Sequence, residues 1–274
     1  MRSTEYKESD IYMKKDEERV ILIITGRYGQ GTVEENKMVS SILGGEKDQE
    51  RFNVYFNWYN TVHEVGHIVS WLIGNDFSSN GSNPDFLKEE QFANAFAVAF
   101  WRRYGDEETF NELRELVPFV VENFERPVAE NEDVSDFFSL MEVGEIEPNF
   151  NNYGWCQFSL VDQELKKEVD FEKLLIDCGL TFTRAPSLTT LEFESISEKD
   201  ISKILKAVFV VLAEWGISIP RHIYHALSNN PNHHMVQEYT QAELGIDVSM
   251  NAPKILETVV GNELGEISKV TRIW

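Results

Sequence analysis

The sequence predicts an α+β fold, in which strands near the amino terminus combine with helices and are followed by a mainly helical carboxy-terminal region. The strand signal is RVILIITGRY, Arg19–Tyr28, a β-branched run bounded by glycine. The helix signal is the helical spacing of apolar residues over Phe86–Tyr104, Leu160–Cys178 and Glu198–Trp215. Hydrophobic residues make up 42% of the 274 positions, so the chain can build a core and extensive disorder is not expected.

Changes in composition divide the chain into three regions. Residues 1–18 are predicted to be a polar amino-terminal arm, because they are charged throughout. Residues 19–125 form the first predicted domain, and residues 126–274 form the mainly helical carboxy-terminal region, to which the sequence assigns no role. The acidic stretch ERPVAENEDVSD, Glu125–Asp136, is the expected linker between them.

Glycine, proline and capping residues set the expected bounds of the elements. A helix is predicted over Val33–Leu43, closed by Gly44 and Gly45. The aromatic-rich segment Arg51–Asn60 is predicted to be a second strand that leads into a helix ending near Ile73. Further predicted elements, in chain order, are a helix with Pro84 at its first position, a helix over Asp106–Phe124 interrupted or bent near Pro118, one or two short strands in Thr181–Glu194, and a short helix over Pro220–Leu227.

The acidic balance of the chain argues against two classes of partner. The chain has 25 Lys and Arg against 47 Asp and Glu, which gives a formal net charge of −22. A surface this negative repels phosphate backbones and anionic lipid, so neither nucleic acid nor a membrane is expected as a partner. The first residues lack the apolar core of a signal peptide, and Cys156 and Cys178 are too few for a disulfide framework. A cytoplasmic protein with two buried thiols is therefore expected.

The segment HEVGH carries the clearest chemical signal. On a helix, His63 and His67 lie one above the other on the same face, so both imidazoles can reach one metal ion. Glu64 projects beside them, where it can act as a general base on a metal-activated water. The alternative is a core helix whose two histidines bind no metal and are hydrogen-bonded to the backbone, because short motifs also arise by chance.

A catalytic zinc site needs a third protein ligand, and the next predicted helix offers Glu89 or Glu90. Glu90 is favoured because it shares a helix face with Ala93, Asn94 and Ala97, whose small size lets two helices approach around a metal. Asn94 is expected to hydrogen-bond a liganding imidazole and so orient it. The alternative for both glutamates is a solvated helix start, where acidic side chains complement the helix dipole.

The combination of HEVGH with E-x-x-A-N-x-F-A, at Glu90–Ala97, resembles the gluzincin type of metallopeptidase, and most of all the ImmA/IrrE group. The resemblance covers about residues 55–105. It implies that residues 19–125 form a zincin-like domain, with a small mixed sheet, an active-site helix and a glutamate helix. It also implies Zn²⁺ as cofactor, held by His63, His67 and Glu90, with Glu64 as the catalytic base. The chain departs from the family pattern at Phe92, where the family usually has an acidic residue.

These signals predict a zinc metallopeptidase that hydrolyses an intracellular protein or peptide. A further donor is expected to stabilise the oxyanion, and Tyr153 is the first candidate because it lies in a glycine-containing segment predicted to be a loop. A tyrosine that simply packs over a turn is the alternative. The other candidate donors are His222, His225, His233 and His234.

Two other functions remain open from the sequence. The first is a regulatory or protein-binding module on a zincin scaffold, with structural zinc or lost activity, and the second is a zinc hydrolase of non-peptide amides. Glu64 favours catalysis, because a structural site needs ligands but no base. Gly66 lies inside the predicted metal-binding helix, where glycine costs about 1 kcal/mol relative to alanine, so a close neighbour is expected to need the space.

Overall fold

The computed structural model describes the greater part of the chain from residue 20 onwards. The described residues are 20–25, 28–29, 33–45, 47–73, 84–147, 149–180, 201, 203–205, 207–208, 211–212, 215, 217, 222–227, 255–260 and 269–273. The arm predicted over residues 1–18, the strands predicted in Thr181–Glu194, and His233 and His234 lie outside the described residues.

Nine helical segments are described along the first two thirds of the chain. They are α1 (Val33–Leu43), α2 (Asp48–Phe52), a π-helix (Asn53–Tyr59), α3 (Asn60–Leu72), α4 (Pro84–Tyr104), α5 (Glu107–Asn123), α6 (Val134–Glu142), α7 (Phe150–Lys166) and α8 (Phe171–Asp177). The described positions from 201 to 212 are also helical.

Several predicted helix bounds are confirmed. Helix α1 ends at Leu43, and Gly44 and Gly45 follow it with φ of +92° and +76°, a left-handed conformation that glycine adopts without strain. Helix α4 begins at Pro84, and α5 runs through Pro118. The single helix predicted over Leu160–Cys178 is instead two, because the chain is extended at Lys167 and α8 has its own cap: the side chain of Asp170 accepts from the backbone N–H of Lys173.

The strand predicted over Arg51–Asn60 is wrong, since this segment is helical throughout. Its large side chains recur at helical spacing and are buried against other helices: Trp58 stacks on Trp101 of α4, with ring centroids 3.9 Å apart, and Tyr55 stacks on Phe158 of α7 at the same separation. Aromatic residues favour strands only where their side chains can pack on the pleated surface of a sheet. Here helix packing buries the same side chains.

Four strands are described at the level of the backbone: β1 (Val20–Thr25), β2 (His222–Leu227), β3 (Ile255–Val260) and β4 (Lys269–Ile273). Their order is β3-β2-β1-β4. Strand β1 is parallel to β2 and to β4, whereas β2 and β3 are antiparallel. The short helix predicted over Pro220–Leu227 is therefore wrong, because β2 occupies that segment.

The predicted fold class, an α+β zincin-like domain built on a small mixed sheet within residues 19–125, is also wrong. Of the residues whose side-chain packing is described, 76% are helical, and none lies in a strand. Only β1 comes from residues 19–125, whereas the other three strands come from the region predicted to be mainly helical. The histidines are positioned by an assembly of helices, because the aromatic segment before them forms a helix and not a strand.

The described core centres on α3 and α4, which pack against each other along their lengths, with α5, α7 and α8 packed around α4. Small side chains such as Ala93, Ala97 and Ala99 are fully buried on α4, which lets neighbouring helices approach closely. Among the described residues, no helix combines the length and the apolar character needed to cross a membrane.

Candidate metal centre

Helix α3 presents His63 and His67 on one buried face. The exposed fractions of the two residues are 2% and 0%. Their rings lie edge to face, and the two Nε2 atoms are 3.2 Å apart. Two neutral imidazoles at this separation either share one proton or direct two lone pairs at a common cation. The helical spacing therefore brings together the atoms that the sequence predicted.

Gly66 allows α4 to reach these histidines. A Cβ atom added at Gly66 would lie 2.8 Å from the Cα of Ala93 and 3.0 Å from its carbonyl oxygen. Contacts this short with backbone atoms do not occur in folded proteins without displacement of one of the helices. The prediction that a close neighbour needs the space at Gly66 is confirmed, and the neighbour is the helix that carries the glutamates.

Glu90 projects from α4 toward both imidazoles. Its Oε2 lies 3.5 Å from Nε2 of His63, and its Oε1 lies 3.9 Å from Nε2 of His67. The residue is fully buried, and neither carboxylate oxygen accepts a hydrogen bond from the described residues. A buried carboxylate is costly unless it is hydrogen-bonded, paired with a charge or bound to a metal. The neighbouring residues leave the Glu90 carboxylate without a hydrogen bond, so a cation bound beside it would stabilise it.

The three side chains fit a single cation. The atoms that each can offer, one from His63, one from His67 and one from Glu90, all lie within 4.8 Å of one another. In a tetrahedral zinc site with bonds of about 2.0–2.1 Å, neighbouring ligand atoms are roughly 3.3 Å apart. The two Nε2 atoms, 3.2 Å apart, are close to that separation, and each of them has one oxygen of Glu90 nearby, Oε2 at 3.5 Å from His63 and Oε1 at 3.9 Å from His67. This group could hold a metal ion.

Glu89 lies beside the same site but faces the opposite edge of an imidazole. Its Oε1 is 3.0 Å from Nδ1 of His67, and both groups are buried. A carboxylate on Nδ1 keeps the proton there and leaves the Nε2 lone pair facing the cluster. Sequence analysis treated Glu89 only as an alternative ligand and missed this contact. The signal that could have revealed it is the pair of adjacent glutamates, whose side chains leave a helix in directions about 100° apart.

Glu64, the predicted base, is fully buried next to the first histidine. The side-chain amide of Asn60, one turn earlier on α3, lies 3.5 Å from Glu64 Oε1, at the limit of hydrogen bonding. The pKa of the His63 ring reflects these neighbours: burial alone would lower it, but the nearby carboxylates of Glu90 and Glu64 outweigh burial and raise it. Three buried carboxylates around two histidines create a strongly cation-favouring environment.

Asn94 lies on α4 and faces Tyr59 of the π-helix. Its Oδ1 accepts a hydrogen bond of 2.8 Å from the hydroxyl of Tyr59, and its Nδ2 donates one of 2.8 Å to the backbone carbonyl of Glu90. Its side chain also contributes to the raised pKa of His63, although less than Glu90 and Glu64 do. Its influence on the pKa of His63 agrees with the predicted position beside an imidazole. Its two short hydrogen bonds, however, go to Tyr59 and Glu90.

Tyr55 and Tyr59 belong to the site and were missed by sequence analysis. Both are buried, and the pKa of each hydroxyl is raised: burial is the main cause for both, and the charge of Glu90 adds to it. Glu64 raises the pKa of Tyr55 further. These residues precede His63 at steps of four, so the helical pattern would have revealed them had the segment been interpreted as a helix.

The predicted oxyanion donors lie on different elements. Tyr153 is in the first turn of α7, so its predicted placement in a loop is wrong, and its hydroxyl accepts a hydrogen bond of 2.9 Å from Nε2 of Gln157. His222 and His225 belong to β2. The catalytic role assigned to Tyr153 stays a prediction.

The two cysteines differ in their surroundings. Cys156 is buried on α7, where burial and the charge of Glu90 raise the pKa of its thiol well above its usual value. The Cys178 thiol is only partly buried, contrary to expectation, and its pKa is also raised by that burial. A thiol with a raised pKa is a poor nucleophile, so nothing in its surroundings activates Cys156.

Comparisons with known proteins identify no relative, so the assignment of a function rests on the geometry of His63, His67 and Glu90. Neither a protein-family profile, nor a curated protein sequence, nor a solved structure matches the chain at a significant level.

Proposed function

We propose that the protein is a zinc-dependent metallopeptidase that acts on an intracellular protein or peptide. The observation that carries the proposal is the Glu90 carboxylate, which is fully buried, accepts no hydrogen bond from the described residues at either oxygen, and faces the Nε2 atoms of His63 and His67 at 3.5 and 3.9 Å. Two imidazoles and one carboxylate, with a fourth position open, are the ligand set of many catalytic zinc sites. Glu64 adds the base that such a site needs.

Each residue has a defined task in this proposal. Bound zinc would supply the Lewis acidity that makes a water molecule nucleophilic near neutral pH. Glu64 accepts the proton of the attacking water and then transfers it to the departing amine of the cleaved peptide bond. Glu89 holds the proton on Nδ1 of His67, so that Nε2 keeps its lone pair for coordination. The buried tyrosines and Cys156 limit the access of bulk water, which strengthens electrostatic interactions inside the site.

A second function is favoured by one observation. His63, Glu64, His67 and Glu90 have exposed fractions of 2% or less, so a peptide bond cannot reach them in this conformation. A closed site of this kind suits a structural metal in a regulatory or protein-binding module. A peptidase with the same residues must open to admit its substrate.

Replacement of the base separates the two functions. We expect Glu64→Gln to bind about one zinc per chain, as the wild type does, because three ligands remain. The variant should lose hydrolysis of proteins in a cell extract by roughly 10²–10⁴-fold, the usual contribution of a positioned base. Zinc is measured by elemental analysis and cleavage by mass spectrometry of new peptide termini.

The matched control is Glu115→Gln, at an exposed position on α5, which should behave as the wild type. Zinc binding without cleavage in either wild type or variant would support the structural alternative. Absence of zinc from protein purified without chelators would contradict both functions.

A further inference from the structure

The proposed metal ligands come from α3 and α4, and one buried hydrogen-bonded chain links α4 to the π-helix that leads directly into α3. The hydroxyl of Tyr59 donates to Asn94 Oδ1, and Asn94 Nδ2 donates to the backbone carbonyl of Glu90, with both distances 2.8 Å. Tyr59 is fully buried, and Asn94 is 1% exposed. The Tyr59 ring lies 6.5 Å from the ring of His63, so the chain runs alongside the ligands without joining them.

The direction of this chain is set by chemistry. The Tyr59 hydroxyl oxygen lies 2.8 Å from Asn94 Oδ1, an amide oxygen that can only accept a hydrogen bond. The hydroxyl therefore donates, and the amide oxygen of Asn94 accepts. This leaves the amide nitrogen of Asn94 to donate to the carbonyl of Glu90, which is the geometry observed. The Tyr59 hydroxyl thus fixes the side chain of Asn94, and Asn94 in turn fixes the backbone carbonyl of Glu90.

The anchored atom matters because Glu90 lies near the start of the closely packed part of α4. Its backbone carbonyl belongs to the residue whose carboxylate faces His63 and His67, so movement of that turn moves the carboxylate. Ligands must be held within about 0.5 Å of their productive positions for tight binding. A hydrogen bond to the ligand's own backbone is a direct way to restrict that movement.

We propose that Tyr59 is a positioning residue for the metal centre, which acts through Asn94 to fix the turn of α4 that carries Glu90. The inference rests on the proposed metal site but does not depend on the reaction performed there. Tyr59 contacts neither the metal nor the substrate in this role. Its effect is transmitted by a single side chain, so Tyr59 and Asn94 must behave as one unit when they are substituted.

The experiment compares zinc affinities of the full chain, measured by competition with a chromogenic chelator. Tyr59→Phe removes only the hydroxyl, and we expect the dissociation constant for zinc to rise roughly 10-fold, at the lower end of the effects of groups that orient metal ligands. Asn94→Ala should weaken zinc by a similar factor. The double variant should lose no more than the larger single effect, because both substitutions break the same chain.

Tyr104→Phe is the matched control. Tyr104 is also fully buried, and its hydroxyl accepts a hydrogen bond of 3.0 Å from Trp215 Nε1, away from the metal ligands. This substitution should lower the thermal midpoint of the metal-free protein about as much as Tyr59→Phe does, since each costs a buried hydrogen bond. It should leave zinc affinity unchanged.

Three results would overturn the inference. They are wild-type zinc affinity in Tyr59→Phe, an equal loss of affinity in Tyr104→Phe, and additive losses in the double variant. Each of these leaves the proposed metal site intact, because the wild type still binds zinc. Failure of the wild type to bind zinc would overturn both the inference and the proposed function.

Discussion

At the residue scale, two adjacent glutamates perform different tasks at one site. Glu90 faces the Nε2 atoms of both histidines, and Glu89 faces Nδ1 of His67. One residue along a helix turns the side chain by about 100°, so neighbours in sequence approach an imidazole from different edges. The site therefore obtains a candidate ligand and an orienting carboxylate from a single dipeptide.

This arrangement predicts that Glu89 supports metal binding without being a ligand. We expect Glu89→Ala to weaken zinc affinity about 10–100-fold while leaving a stoichiometry of about one zinc per chain, because the imidazole loses its orienting partner but keeps its lone pair. Affinity is measured by chelator competition and stoichiometry by elemental analysis. Glu115→Ala, an exposed change on α5, serves as control. An unchanged affinity in Glu89→Ala would show that the contact has no orienting role.

At this scale the sequence alone specifies which side chains lie close together when one helix contains the whole pattern. His63, Glu64 and His67 lie within five residues, so helical periodicity alone brings them together. The favoured choice of Glu90 also followed from a helix face shared with Ala93, Asn94 and Ala97. The contact between Glu89 and His67 joins residues 22 positions apart, and no local pattern specifies it.

At the element scale, the separation of α3 and α4 determines whether the ligands meet. Gly66 faces Ala93 with no room for a Cβ atom, and two candidate metal ligands, His67 on α3 and Glu90 on α4, lie next to this point of contact. Interiors packed at this density transmit a small displacement to the neighbouring side chains. Helix spacing and ligand geometry are thus coupled.

Gly66→Ala tests this coupling. Alanine is favoured over glycine in a helix by about 1 kcal/mol, so a free helix would gain stability. In the protein the added Cβ would lie 2.8 Å from a backbone atom, so we expect overpacking to lower the free energy of unfolding by about 1–3 kcal/mol. Zinc affinity should fall as well, since the ligands are forced apart. Chemical denaturation and chelator competition measure the two effects.

Gly154→Ala is the control for Gly66→Ala. A Cβ at Gly154 would lie 2.4 Å from the ring of Phe124, so this change is also destabilising, but it acts between α7 and the end of α5. We expect it to lower stability without altering zinc affinity. Equal affinity losses in both variants would mean that general loosening, and not the spacing of α3 and α4, controls the site.

The aromatic segment before α3 shows why element type was mispredicted. Residues such as Tyr55, Trp58 and Tyr59 have high strand propensity, but they bury their rings against α4 and α7. Propensity is a weak local preference that tertiary packing overrides. As a result, Tyr55 and Tyr59, which lie beside the candidate metal site, were not recognised from the sequence.

At the scale of the whole molecule, α4 connects the candidate metal centre to helices from the carboxy-terminal half. The guanidinium of Arg102 donates to the backbone carbonyls of Leu165 and Val169, each at 3.3 Å, so it holds the segment that joins α7 to α8. Phe171 of α8 packs against Phe96, Phe100 and Tyr104 of α4. The helix that carries Glu90 is therefore at the centre of a shared core.

Because the ligands come from two core helices, metal removal should destabilise this helical body as a whole. A cation that binds only the folded state at 100 times its dissociation constant adds about 2.7 kcal/mol to the free energy of unfolding. We expect the thermal midpoint to fall by about 5–10 °C when zinc is removed by a chelator and to recover when zinc is restored. Circular dichroism at 222 nm measures the transition of the helices.

The control for metal removal is the double variant His63→Ala, His67→Ala. Its thermal midpoint should not respond to zinc, because two of the three ligands are absent. A wild-type midpoint that also ignores zinc would contradict a cation at this site.

The sequence by itself determined which residues could act: a histidine pair at helical spacing, a base between them, and glutamates on the following helix. These features are local, and the periodicity of one helix is enough to specify them. Only the tertiary structure decided that the aromatic segment is helical, that Glu89 contacts His67, and that a hydrogen bond from Tyr59 to Asn94 links this segment to α4. Those contacts depend on how closely α3 and α4 approach, and that distance results from packing among many side chains distant in sequence.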